Sequence, residues 1–118
     1  MMKNKFIKQR ACALLAGLLL AACSTPAKTL YQWEGYQPQV YEYLKGQGPE
    51  AQISILEADL QKIHAKGNRP PPGYHAHLGL LYSSIGKLDR VEKEFQTEKE
   101  LFPESATYMD FLLKKTKL

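Results

Sequence analysis

The sequence predicts an all-α protein, and three observations carry that prediction. Between Glu50 and Lys66, Ile53, Leu56, Leu60 and Ile63 recur at three- and four-residue steps, which places them on one face of a helix. Glycines and prolines at 46–49, 67–73 and 86 cut the chain into helix-length pieces. From His75 to Pro103, small, aromatic and proline residues are spaced as a close-packed pair of antiparallel helices requires.

The first piece reads charge, then grease, then small residues. Lys3, Lys5, Lys8 and Arg10 lead, and Ala11 to Leu20 follows as an apolar run of about 10 residues, the length of a signal h-region and too short to span a bilayer. Leu20, Ala21, Ala22 and Cys23 close it. That quartet resembles the bacterial lipoprotein signal, in which the cysteine is acylated and becomes the mature N-terminus. The resemblance implies a signal peptide at 1–22, a lipidated tether and aromatic segment at 23–36, and a helical-repeat domain at 37–118. Ser24, rather than aspartate, follows the cysteine. By the same resemblance this directs the protein to the outer membrane, lipid-anchored and facing the periplasm. One acyl chain, at about 0.8 kcal/mol per buried methylene, binds marginally, whereas the two or three chains of a mature lipoprotein hold it stably.

Cleavage would also change the electrostatics. The whole chain carries 16 Lys+Arg against 12 Asp+Glu. The four basic residues before Cys23 leave with the signal, and no acidic ones do, so the remainder is close to neutral. A nucleic-acid partner would want a basic face on the mature domain, and there is no net excess to supply one. Cys12 departs with the signal and Cys23 is consumed by lipid, so no thiol remains for a disulfide. Stability must then come from packing in one small domain.

Ser24 to Lys28 is a short polar tether. Leu30-Tyr31-Gln32-Trp33-Glu34-Gly35-Tyr36 follows, the most aromatic stretch, with the single tryptophan of the chain. Its alternation predicts a short extended segment lying on a surface. Its rings either seal the open end of the domain or offer Tyr31, Trp33 and Tyr36 to a partner or to lipid headgroups. Pro38 to Lys45 is expected to be a short helix, with proline in its first turn and Val40, Tyr41 and Leu44 on one face. Glu50 to Lys66 is the next helix, with Gln52, Glu57, Gln61 and Lys62 off its apolar stripe and Gly67 as its C-cap.

From His75 the chain reads His-x-x-Leu-Gly-x-x-Tyr, through Leu78, Gly79 and Tyr82, with Gly86, Phe95 and Pro103 beyond. This is similar to the tetratricopeptide repeat, a helix-turn-helix of about 34 residues. In that reading Gly79 lets two helices approach, Tyr82 and Phe95 fill the wedge between them, and Gly86 takes the turn. The match is degenerate: His75 stands for a tryptophan, and Val91 and Glu98 stand for alanines. Pro38 to Arg69 is repeat-like in shape only. Glu104 to Lys115 forms a last helix, with Tyr108, Phe111 and Leu112 expected inward and Lys114 and Lys115 at the negative end of its dipole. It caps the stack. About five helices follow the tether.

The chemistry-bearing residues do not converge in sequence. His75 and His77 are two apart and point differently on a helix, and His64 stands alone, so no metal site or cofactor is expected. Ser83 and Ser84 lack a nucleophile elbow, and the glycines at 46 and 48 lack the lysine of a phosphate loop. Glu92, Glu94, Glu98 and Glu100 read as a solvated helix face. No catalytic residue is assigned and no enzyme is expected.

As a whole, the chain resembles a family of small Gram-negative outer-membrane lipoproteins. A lipobox, Leu30-Tyr31-Gln32-Trp33 with Tyr36, a Tyr-x-x-Leu and the His-x-x-Leu-Gly helix carry the likeness. Members are encoded beside a lipoprotein similar to the curli-type secretion channel and a second small lipoprotein. The resemblance implies an accessory role in an envelope assembly rather than a reaction. The expected function is a non-catalytic interaction module, bound to the membrane through Cys23, that holds an envelope protein. Its groove would be lined by the first helix of each hairpin: Ala76, Leu80 and Ser83, with residues near Gln39 and Tyr43. The alternatives are an activator of a cell-wall enzyme and a self-associating structural lipoprotein.

Overall fold

The computed structural model describes residues 2–21, 27 and 29–116. Cys23 and most of the tether lie outside the described residues. α1 (Met2–Ala21) covers the basic and apolar stretch before Cys23. Among the described residues no helix is long and apolar enough to cross a membrane.

Five further helices follow: α2 (Tyr36–Leu44), α3 (Pro49–Ala65), α4 (Tyr74–Ser84), α5 (Leu88–Leu101) and α6 (Ala106–Thr116), the last entered through a 3-10 turn at Pro103–Ser105. The fold is all-α, as the periodicity predicts. α2–α3 and α4–α5 are antiparallel hairpins and α6 closes the end of the stack. Ile53, Leu56, Leu60 and Ile63 are buried together with Tyr74, Leu78, Leu81, Tyr82, Val91, Phe95 and Met109 in one core.

Two glycines do the work expected of them. A Cβ on Gly79 would lie 2.3 Å from the Phe95 ring, so α4 and α5 approach only because it is absent. Gly86 takes a positive φ of 72°. Its N–H bonds Ser83 O at 3.1 Å while Lys87 N–H bonds Tyr82 O at 3.0 Å, the double closure of a left-handed helix cap. α2 and α3 end through the same pair of bonds.

Four expectations need correcting. The aromatic segment is not a strand: Tyr36 N–H bonds Trp33 O at 3.0 Å, and this turn makes Tyr36 the first residue of α2 rather than the last of an extended run. The amide of Gln52 is buried because it donates to Gln47 O and Gly48 O at 3.0 and 3.3 Å, closing the α2–α3 turn. In α6 the inward residue is Met109, backed by Leu112 and Leu113, while Tyr108 and Phe111 are 59 % and 51 % exposed and stack on each other outside. Finally, Glu94 and Glu98 are 5 % and 2 % exposed and are not solvated. They occupy the same stripe as Val91 and Phe95, and each has a specific partner across the hairpin.

Candidate interaction site

The segment before α2 is a strap across one end of the helices. Gln32 N–H donates to Arg69 O at 2.9 Å, Asn68 Nδ2 to Gln32 Oε1 at 2.7 Å, and Gly35 N–H to the buried Asp59 carboxylate at 3.0 Å. Tyr31 sets its ring edge-on to Phe102, with centroids 5.8 Å apart. Tyr36 stacks on Tyr74 at 5.1 Å. Burial raises the Tyr36 hydroxyl above its ordinary pKa, with nearby Glu98 adding to the rise. Tyr74 is raised chiefly by burial, and its hydroxyl donates to Leu56 O at 2.9 Å. Tyr31 and Tyr36 therefore seal the end of the domain. Trp33 is the ring left at the surface, 43 % exposed.

Behind Tyr36 the start of α4 is capped from another helix. The Glu98 carboxylate accepts Gly73 N–H at 2.6 Å and Ala76 N–H at 3.3 Å. These are the N–H groups of the residue before the helix and of its third residue, the two that a local capping box would satisfy. A glutamate at a position where the repeat pattern wants alanine is thus a cap supplied in trans by α5.

The structure brings together part of the expected groove. Tyr43 from α2 meets the His77 ring edge-on at 5.3 Å, and Tyr36 meets it at 6.1 Å, so the first helices of the two hairpins adjoin. Ala76, Leu80 and Ser83 follow one side of α4 and are half-buried, Ala76 and Leu80 against the core. His77 is held between these rings, its pKa lowered by burial. Its Nε2 has no hydrogen-bond partner.

A groove of about 790 Å³ opens elsewhere, between α3 and α5. Glu50, Ser54, Glu57, Ala58, Gln61 and His64 form one wall, and Arg90, Lys93, Glu94 and Thr97 the other, with His75 among the lining residues. His75 Nδ1 lies 2.6 Å from Glu94 Oε2. A carboxylate accepts, so Nδ1 carries the proton and donates it to Glu94. Glu57 accepts from both the Tyr82 hydroxyl and Arg90 Nη2, and the Arg90 guanidinium sits 4.6 Å from the Tyr82 ring centroid. Burial, then the bond to Glu57, raises Tyr82. His75 Nε2 and Arg90 Nε are both buried without partners. Both residues lie beside the Glu94 carboxylate.

His75 and His77 do diverge, one toward α5 and the other toward α2. What the sequence reading missed is that the α3–α5 groove uses second helices. The available signal was the placement of Glu94 in phase with Val91 and Phe95.

Residues 30–112 match the family described as Domain of unknown function (DUF4810). The match opens at the strap and closes within α6, so it takes in both surfaces. No curated protein matches the chain, and no solved structure does. The chain belongs to the DUF4810 family.

Proposed function

We propose that this DUF4810 protein is an outer-membrane lipoprotein, anchored through lipid on Cys23, whose helical module holds a protein partner in an envelope assembly without catalysing a reaction. The resemblance to lipoproteins found beside a curli-channel-like lipoprotein makes that channel the first partner to test. The Gly79–Phe95 approach and the glycine cap at Gly86 support the tetratricopeptide-like reading, in which paired helices present grooves to peptides.

The observation that carries the proposal is the α3–α5 groove. Its volume lies in the range that accepts a ligand or a few residues of a partner. Its edge offers charge of both signs, through Glu50 and Lys93. Two of its lining residues, Arg90 and His75, each carry a nitrogen, Nε and Nε2, that has no hydrogen-bond partner.

A photo-crosslinking amino acid placed at Ser54 or Lys93 in growing cells tests this directly. Both positions should capture the same envelope protein, and a control at Leu88, exposed outside the groove, should not. Equal capture from Leu88, or capture only of a second copy of this chain, refutes the groove reading. The second result would favour the self-associating alternative.

A further inference from the structure

We propose that the strap end of the module is seated on the lipid surface, with Leu30 and Trp33 in the headgroup layer. The inference rests on acylation of Cys23. It adds that the domain does not swing freely on its tether but makes a second, protein-borne contact with the membrane.

The topology defines the end concerned. The strap bonds the α3–α4 loop through Gln32 and Arg69, and Arg69 Nη2 bonds Leu101 O at the end of α5. Tyr31 rests on Phe102 at the same corner. The turns at 45–48 and 85–87 lie at the opposite end of the hairpins. Leu30 is the first strap residue, 84 % exposed, and Trp33 is the exposed ring of the strap. Trp33 leans on the Tyr36 ring with centroids 6.1 Å apart, while Tyr31 and Tyr36 are the rings packed on Phe102 and Tyr74. An indole with an apolar body and a free N–H is the side chain that interfaces favour.

The chain length supplies the second argument. Seven Cα–Cα steps separate Cys23 from Leu30. Fully extended they reach at most about 25 Å. One leucine and one tryptophan would bind a bilayer weakly from solution. On a tether this short the same contact is intramolecular, at an effective concentration of order millimolar, and a weak second signal suffices. The contact also sets an orientation. The α3–α5 groove runs from Glu50 and Arg90 at the far end toward His64 and Thr97 nearer the strap. Docking would stand it up from the membrane, open to a partner approaching from the side.

Trp33 is the only tryptophan in the chain, so its fluorescence reports the contact without labelling. The acylated protein, purified from membranes, is reconstituted into phosphatidylethanolamine–phosphatidylglycerol vesicles with or without brominated acyl chains near the headgroup. Mass spectrometry of the N-terminal peptide reports the lipid on Cys23. Docking predicts that brominated lipid quenches Trp33 emission at least twofold. It also predicts little quenching in a Trp33→Phe, Leu88→Trp variant, whose tryptophan sits at the far end. An acylated protein whose Trp33 emits equally in both vesicles overturns the docking alone, as does equal quenching of the far-end reporter. A chain that carries no acyl group and stays off the vesicles overturns the anchor and the docking together.

Discussion

Glu98 is the sharpest place to test the reasoning, because two readings of it predict opposite signs. If the position is a small-residue packing slot of a helical repeat, Glu98→Ala relieves a buried carboxylate and improves helix propensity by a few tenths of a kcal/mol. In the structure the carboxylate instead caps α4, accepting Gly73 N–H at 2.6 Å and Ala76 N–H at 3.3 Å. Each hydrogen bond to a charged group contributes about 1.5–3 kcal/mol, and only the shorter has full strength. Removing both also takes a negative charge from the positive end of the helix, worth about 0.3–1 kcal/mol. Set against the propensity gain, the net expectation is a loss of about 2–3 kcal/mol. For a domain of this size that lowers Tm by roughly 10–20 °C. Glu98→Gln keeps an acceptor oxygen but loses the charge, and should fall by about 1 kcal/mol. Urea denaturation of the purified protein, followed by far-UV circular dichroism, measures both. An alanine variant within 0.5 kcal/mol of the parent, or more stable than it, would show that the cap does not act as described.

Three further outcomes follow from the packing. Gly79→Ala places a methyl 2.3 Å from the Phe95 ring, which is fully buried; overpacking should outweigh the ~1 kcal/mol helix gain and leave a net loss of about 1–2 kcal/mol by the same urea assay. Met109→Ala should cost about 2–4 kcal/mol and Tyr108→Ala less than about 1, because Met109 is 2 % exposed and Tyr108 faces out; the reverse order would restore the register expected from sequence. His77 sits below its ordinary pKa because burial disfavours the charged ring. The unfolded chain therefore binds the proton more readily, and the contribution of His77 to stability is complete above about pH 6.5 and declines as pH falls through the lowered folded value. Thermal melts between pH 7 and 5 should show that decline, and it should be smaller in His77→Gln.

What the sequence made legible was whatever depends on local period and backbone chemistry. The α3 stripe, the caps at Gly67 and Gly86 and the close approach at Gly79 all follow from residues within one element or one hairpin. The failures share a different cause. Tyr108 and Phe111 look like core residues by size, but the 3-10 turn at Pro103–Ser105 sets the phase of α6 and turns Met109 inward. Glu94 and Glu98 look like surface residues by charge, yet their partners His75 and Gly73 lie 19 and 25 positions away. The alternation of the strap reads as a strand because its actual partners, Asp59 and Arg69, belong to other elements. Of the expected site, Tyr36 and Tyr43 come together on His77, whereas the α3–α5 groove depends on the distance between two helices that no local pattern encodes.

Four of the buried polar groups share one arrangement. Asp59 holds the backbone of Gly35, Gln52 the carbonyls of the α2–α3 turn, Glu98 the start of α4, and Glu94 the ring of His75. Each joins two segments that apolar contact alone would leave free to slide. Such groups add little net stability over an apolar replacement, but truncating one partner strands the other and costs far more. Their effect is therefore to fix register between elements, the task that disulfides perform in many small exported domains. Register is also what the two proposed surfaces need. Asp59 sets where the strap, and with it Trp33, emerges, while Glu94 fixes the ring of His75 at the groove. A module with the proposed membrane contact and the proposed partner groove would need polar latches at these junctions more than extra hydrophobic area.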